Sequence, residues 1–76
     1  MPALPLISGR EAVRAFERAG WEVKRRRGSH IILTKPGSWA SLSIPDHREL
    51  DRGLLRKLIR QAGLTVDEFM ELLGGK

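Results

Sequence analysis

The sequence predicts an α+β domain: a helix, a three-stranded antiparallel sheet, a second helix and a short third one. Three observations predict it. Ser8 with Glu11, and Thr65 with Glu68, have the spacing of capping boxes that open helices. Between them, Trp21 to Ile44 is rich in β-branched and aromatic residues and is punctuated by Gly28 and Pro36-Gly37. Leu54, Leu55, Leu58, Ile59 and Ala62 then recur at helical spacing.

The first helix follows Ser8, whose side chain and that of Glu11 each satisfy a backbone N–H left open in the first turn. Ala12, Val13, Phe16 and Ala19 share one face, Arg10, Arg14, Glu17 and Arg18 the other, and Gly20 ends it. In the first strand, Trp21, Val23 and Arg25 alternate with Glu22, Lys24 and Arg26, the period of a half-buried strand. Arg27-Gly28 supplies a tight turn. His30 to Lys35 is the second strand, and its run Ile31-Ile32-Leu33 suits a central position. The third, from Trp39 or Ala40 to Ile44, sets Leu42 and Ile44 inward and Ser41 and Ser43 outward before Pro45 stops it.

The second helix begins near Asp51 or Arg52 and ends at Gly63. Opposite its apolar stripe, Arg52, Arg56 and Arg60 stack about 6 Å apart with Lys57 beside them. Such a row is either a solvated face or a surface that a nearby anion relieves. The short third helix turns Val66, Phe69, Met70 and Leu73 to one side and ends at Gly74-Gly75.

Composition narrows the function. Seventy-six residues fit one small domain, without internal repeat, linker or low-complexity segment. With no cysteine, disulfides and cysteine-ligated metals are excluded. Fourteen Lys and Arg against nine Asp and Glu give a net charge of +5, which favours a polyanionic partner. No apolar run is long enough to cross a bilayer. Met1 to Ile7 is too short, and too broken by Pro2 and Pro5, for a signal peptide, so a cytoplasmic location without membrane association is expected.

The chemistry-bearing stretch is Arg25-Arg26-Arg27-Gly28-Ser29-His30. Guanidiniums that hold phosphate adjoin a side chain that moves protons near neutral pH, and a turn fixes their separation. Strand parity groups His30 with Ile32 and Thr34. His47, after Pro45-Asp46, is a loop residue, a second acid or an RNA contact. Two histidines, no cysteine and no ligand spacing among the carboxylates argue against a metal site. Ser29 adjoins His30 on a strand, where neighbours face opposite sides, so a Ser–His–Asp triad is unpersuasive. Ile59 to Phe69 imitates the turn of a helix-turn-helix. The helix after that turn carries Asp67, Glu68 and Glu71 and no basic residue, so no direct DNA binding is expected.

The ordered set Ser8-Gly9-Arg10-Glu11, Ala19-Gly20-Trp21, Arg27-Gly28-Ser29-His30 with Pro36, Ile44-Pro45-Asp46-His47 with Glu49-Leu50, and Gly53 through Leu64 resembles the HicA (YcfA-like) toxin family. The resemblance runs from Ser8 to Leu73. It implies a fold like that of a double-stranded-RNA-binding domain, mRNA cleavage independent of the ribosome, a HicB antitoxin as partner, and His30 as the catalytic residue. Two positions depart from the family pattern. Ile31 stands where many relatives carry a second histidine, and Leu54 where threonine is frequent.

The expected function is therefore that of a toxin with endoribonuclease activity on mRNA, needing neither metal nor cofactor. His30 would act as general acid/base, and Lys24, Arg26, Arg27, Gly28, Ser29, Lys35 and His47 would hold RNA. Two other readings stand beside it. One is a non-catalytic RNA-binding module of the same fold, in which His30 is structural. The other is a basic adaptor for an acidic protein.

Overall fold

The computed structural model describes residues 3–74. Its elements are α1 (Gly9–Arg18), β1 (Glu22–Arg27), β2 (His30–Thr34), β3 (Ser41–Pro45), α2 (Arg52–Gln61) and α3 (Val66–Leu73). The strands form one antiparallel sheet in the order β1-β2-β3, with β2 in the centre as its apolar run predicts. This is the expected α+β layout of a double-stranded-RNA-binding-domain-like fold.

Ile31 and Leu33 of β2, with Leu42 and Ile44 of β3, are buried on one face of the sheet. They share one core with Ala12, Val13, Ala15 and Phe16 of α1, Leu55, Leu58 and Ile59 of α2, and Phe69 of α3. The Phe16 and Phe69 rings lie 5.1 Å apart at 47°, a tilted pair that joins the first helix to the last. Both capping boxes are formed, Ser8 with Glu11 and Thr65 with Glu68. Asp51 caps α2 by accepting from the N–H of Leu54. Gly20 and Gly63, at φ 99 and 76, follow the ends of α1 and α2 in the conformation expected of them. Gly75, expected to help end α3, lies outside the described residues.

The sequence reading left one part of the core unassigned, and three of its expectations are corrected. Leu4 and Ile7, ahead of α1, belong to the core: both are buried, Leu50 N donates to Ile7 O at 2.7 Å, and Arg52 Nε donates to Leu4 O at 2.8 Å. Arg52 is thereby partly withdrawn from the cationic row of α2. The strict alternation of β1 fails, because Val23 pairs with Leu33 and Arg25 with the adjacent Ile32, leaving Lys24 as an extra residue in a β-bulge. Every residue of β1 is exposed, as suits a charged edge strand. β2 ends at Thr34, since Lys35 O turns to accept from Ser38 N at 3.0 Å. β3 starts only at Ser41, because the Ala40 N–H is taken by Ser38 Oγ at 3.2 Å, and it includes Pro45.

Candidate functional site

The β1–β2 hairpin is closed by Arg27 paired with His30, so its loop is Gly28-Ser29, one residue later than the sequence reading placed it. Gly28 takes φ 58 at the first central position, where a two-residue hairpin of the II′ kind requires glycine. Asp46 N donates to Ser29 O at 2.7 Å and carries the β2–β3 pairing one step past His30–Pro45. The turn is thus tied to the neighbouring strand as well as to its own hairpin.

The bulge at Lys24 decides which arginines accompany His30. Cross-strand partners share a face, so Arg25 (opposite Ile32) and Arg27 (opposite His30) lie on the side away from the helices. Arg26, opposite the buried Ile31, belongs to the other side. Alternation alone places Arg25 with Trp21 and Val23, and Arg26 with Glu22 and Lys24, whereas the bulge sets Arg25 on the face opposite Val23. One inserted residue reverses every later position of the strand.

His30 is exposed and, with Arg27, Gly28, Ile32 and Ser43, lines an open depression on that helix-free face. As parity predicts, it shares its side of β2 with Ile32 and Thr34, both half-buried. Ser43, the partner of Ile32, presents a hydroxyl there. The depression therefore combines a solvent-accessible imidazole, a guanidinium, the backbone of a glycine turn and a hydroxyl. These groups can hold an anion and transfer a proton beside it.

Arg26 instead donates from Nη2 to Asp46 Oδ2 at 2.6 Å, and Arg10 Nε donates to Asp46 Oδ1 at 3.2 Å. The hydrogen bond from Arg26, then that from Arg10, holds the Asp46 carboxyl below the ordinary aspartate value. Asp46 is 15% exposed and joins the edge strand, the end of β3 and the start of α1. Sequence reading missed it. The local signal was an aspartate between Pro45 and His47, but its two partners stand 20 and 36 positions away.

The remaining expected RNA contacts fall at different distances from His30. Ser29 lies in the loop beside it, and Lys24 is at the bulge on the exposed edge. His47 is exposed at the same end of the sheet, where its backbone O accepts from Gly9 N at 2.9 Å. Gly9 has no room for a side chain, since a Cβ there would lie 1.9 Å from Pro45 O. Lys35 follows the far end of β2, about 17 Å along the strand from His30, with its chain beside Gly20. Among the described residues, no three His, Cys, Asp or Glu side chains cluster, and no helix is long and apolar enough to cross a membrane.

Comparison with curated proteins finds no match. Comparison with family models matches residues 9–64 to the HicA toxin of bacterial toxin–antitoxin systems. The matched stretch holds α1, the whole sheet and α2, and therefore the hairpin turn, His30, Asp46 and His47; α3 lies beyond it. With more than half of its length in that match, the chain belongs to the HicA toxin family, the toxin half of bacterial toxin–antitoxin pairs.

Proposed function

We propose that this toxin is a metal-independent endoribonuclease that cuts mRNA, with His30 as its general acid/base and a HicB-like antitoxin as the partner that blocks it. The observation that carries the reading is the pairing of an exposed His30 with Arg27 across a two-residue turn, in an open depression on the helix-free face. His30 takes the proton of a ribose 2′-OH, and the oxygen attacks the adjacent phosphorus. The bond to the 5′-oxygen breaks, leaving a 2′,3′-cyclic phosphate and, once that oxygen is protonated, a 5′-OH. Arg27 and the backbone N–H groups around the turn neutralise the charge that grows on the phosphoryl oxygens. His47 or water supplies the proton to the leaving oxygen. The reaction takes place in the cytoplasm, where the message is.

One acid–base group contributes about 10²- to 10⁴-fold, so turnover is slow. Slow cutting of many messages is sufficient for a toxin. Digestion of a long single-stranded RNA by purified protein in a chelator tests the reading. Fragments ending in cyclic phosphate are the expected product. RNA that stays intact while being retarded in a gel would instead assign a binding module.

A further inference from the structure

We propose that the helix-free face of the sheet is a track for single-stranded RNA, running from Trp39, which stacks on a base, to His30, where the strand is cut. The inference rests on the ribonuclease reading and adds to it a second point of attachment. Of the two tryptophans and two phenylalanines, Trp21, Phe16 and Phe69 are buried, whereas Trp39 is 105% exposed and packs against none of the described residues. A lone surface ring is ordinary in itself. Its setting is what matters.

The loop that carries Trp39 is built. Ser38 N donates to Lys35 O at 3.0 Å around Pro36-Gly37, with Gly37 at φ 82, the arrangement of a type II turn. Ser38 Oγ then accepts from Ala40 N, and Ala40 packs against the core. The backbone on both sides of Trp39 is therefore fixed while the indole is free. With the backbone already placed, stacking on a base restricts only the two side-chain torsions of the indole.

From that loop the face leads to His30. Trp39 sits at a bend in the loop that enters β3, and Ser41 and Ser43 are the outward-facing residues of the strand that this loop leads into. Thr34 pairs with Ser41, Ile32 with Ser43, and His30 with Pro45, so hydroxyls line the middle of the surface. Arg25 and Arg27 flank Ile32 and His30 from β1. Glu22, across from Thr34, is the carboxylate that shares this face, and it sits at the end away from His30. Charge thus turns positive toward the histidine, where the reacting phosphate must be held. Ser41 to Pro45 covers about 14 Å, a length that takes a few nucleotides of extended strand. A duplex keeps its bases stacked inside, so only an unpaired strand offers a face to the ring.

The test uses full-length protein, a short unstructured RNA, and the variants Trp39→Ala and Trp39→Phe. RNA should quench the tryptophan emission of the parent. Trp39→Ala should lose that quenching, bind RNA about tenfold more weakly and raise KM by a similar factor, with kcat within about twofold. Trp39→Phe should recover most of the affinity. If the parent binds and cuts RNA but Trp39→Ala matches it in Kd and KM, the track is wrong and the ribonuclease reading survives. A parent that neither binds nor cuts RNA overturns both.

Discussion

Arg26 and Asp46 meet at 2.6 Å across 20 residues of sequence, and their contact divides the three consecutive arginines into two kinds. Arg25 and Arg27 lie on the face of His30, while Arg26, on the opposite face, reaches the segment that leaves β3. Asp46 uses its side chain on Arg26 and Arg10 and its backbone N–H on Ser29 O. The turn beside His30 is thereby fastened to α1 and to β3.

Acid should release this fastening. Because the Asp46 carboxyl is held below 3.8 by Arg26 and then Arg10, its contribution to stability is full above that value. It is lost as pH falls through the lower folded value. In thermal melts taken from about pH 5 down to about pH 2, the parent should lose more stability than Asp46→Asn, which has no carboxyl to protonate. Parallel losses in the two proteins would show that the ion pairs contribute nothing.

Arg27 and Arg26 should separate by assay. Arg27→Ala is expected to weaken RNA binding and to reduce the slope of log K against log salt by about one, the signature of a lost phosphate contact. Arg26→Ala should leave that slope unchanged and remove part of the acid sensitivity that Asp46 confers. Salt titrations of RNA affinity in the two variants decide the matter.

Much of this architecture is legible in the sequence, because the signals are local. The Ser8 and Thr65 capping boxes, the stripe from Leu54 to Ala62 and the central run of β2 each specify an element from within a few residues. His30 on the side of Ile32 follows from parity alone. What escapes is non-local. The bulge at Lys24 exists only in relation to β2, and its insertion turns Arg25 outward against the apparent alternation. Leu4 and Ile7 join the core through bonds to Leu50 and Arg52, more than forty residues later. Asp46 is set by partners on two other elements, and Trp39 is conspicuous only once its three fellow aromatics prove to be buried.

Gly9 offers a steric test of the same end of the sheet. Its missing side chain lets α1 begin against Pro45, and a Cβ would meet backbone, which cannot swing aside as a flexible side chain can. Gly9→Ala should cost about 1–3 kcal/mol, as overpacking typically does. The urea midpoint reads the effect. Gly28, with open space around its missing Cβ, should be penalised by Ala only through its positive φ, by about 1–2 kcal/mol.

Phe69 is the anchor of α3, fully buried against Phe16. Truncation to Ala removes a ring from a small core and should cost about 3–5 kcal/mol. In a domain of this size that approaches the whole stability, so Phe69→Ala should melt near or below room temperature by circular dichroism. Phe69→Leu should keep most of the fold.

The most direct measurement is single-turnover cleavage of a defined RNA by the parent and by His30→Ala, with RNA affinity measured on the same preparations. The account predicts that cleavage falls by about 10²- to 10⁴-fold while affinity changes only a few-fold. Cleavage that continues at the parental rate in His30→Ala would contradict it.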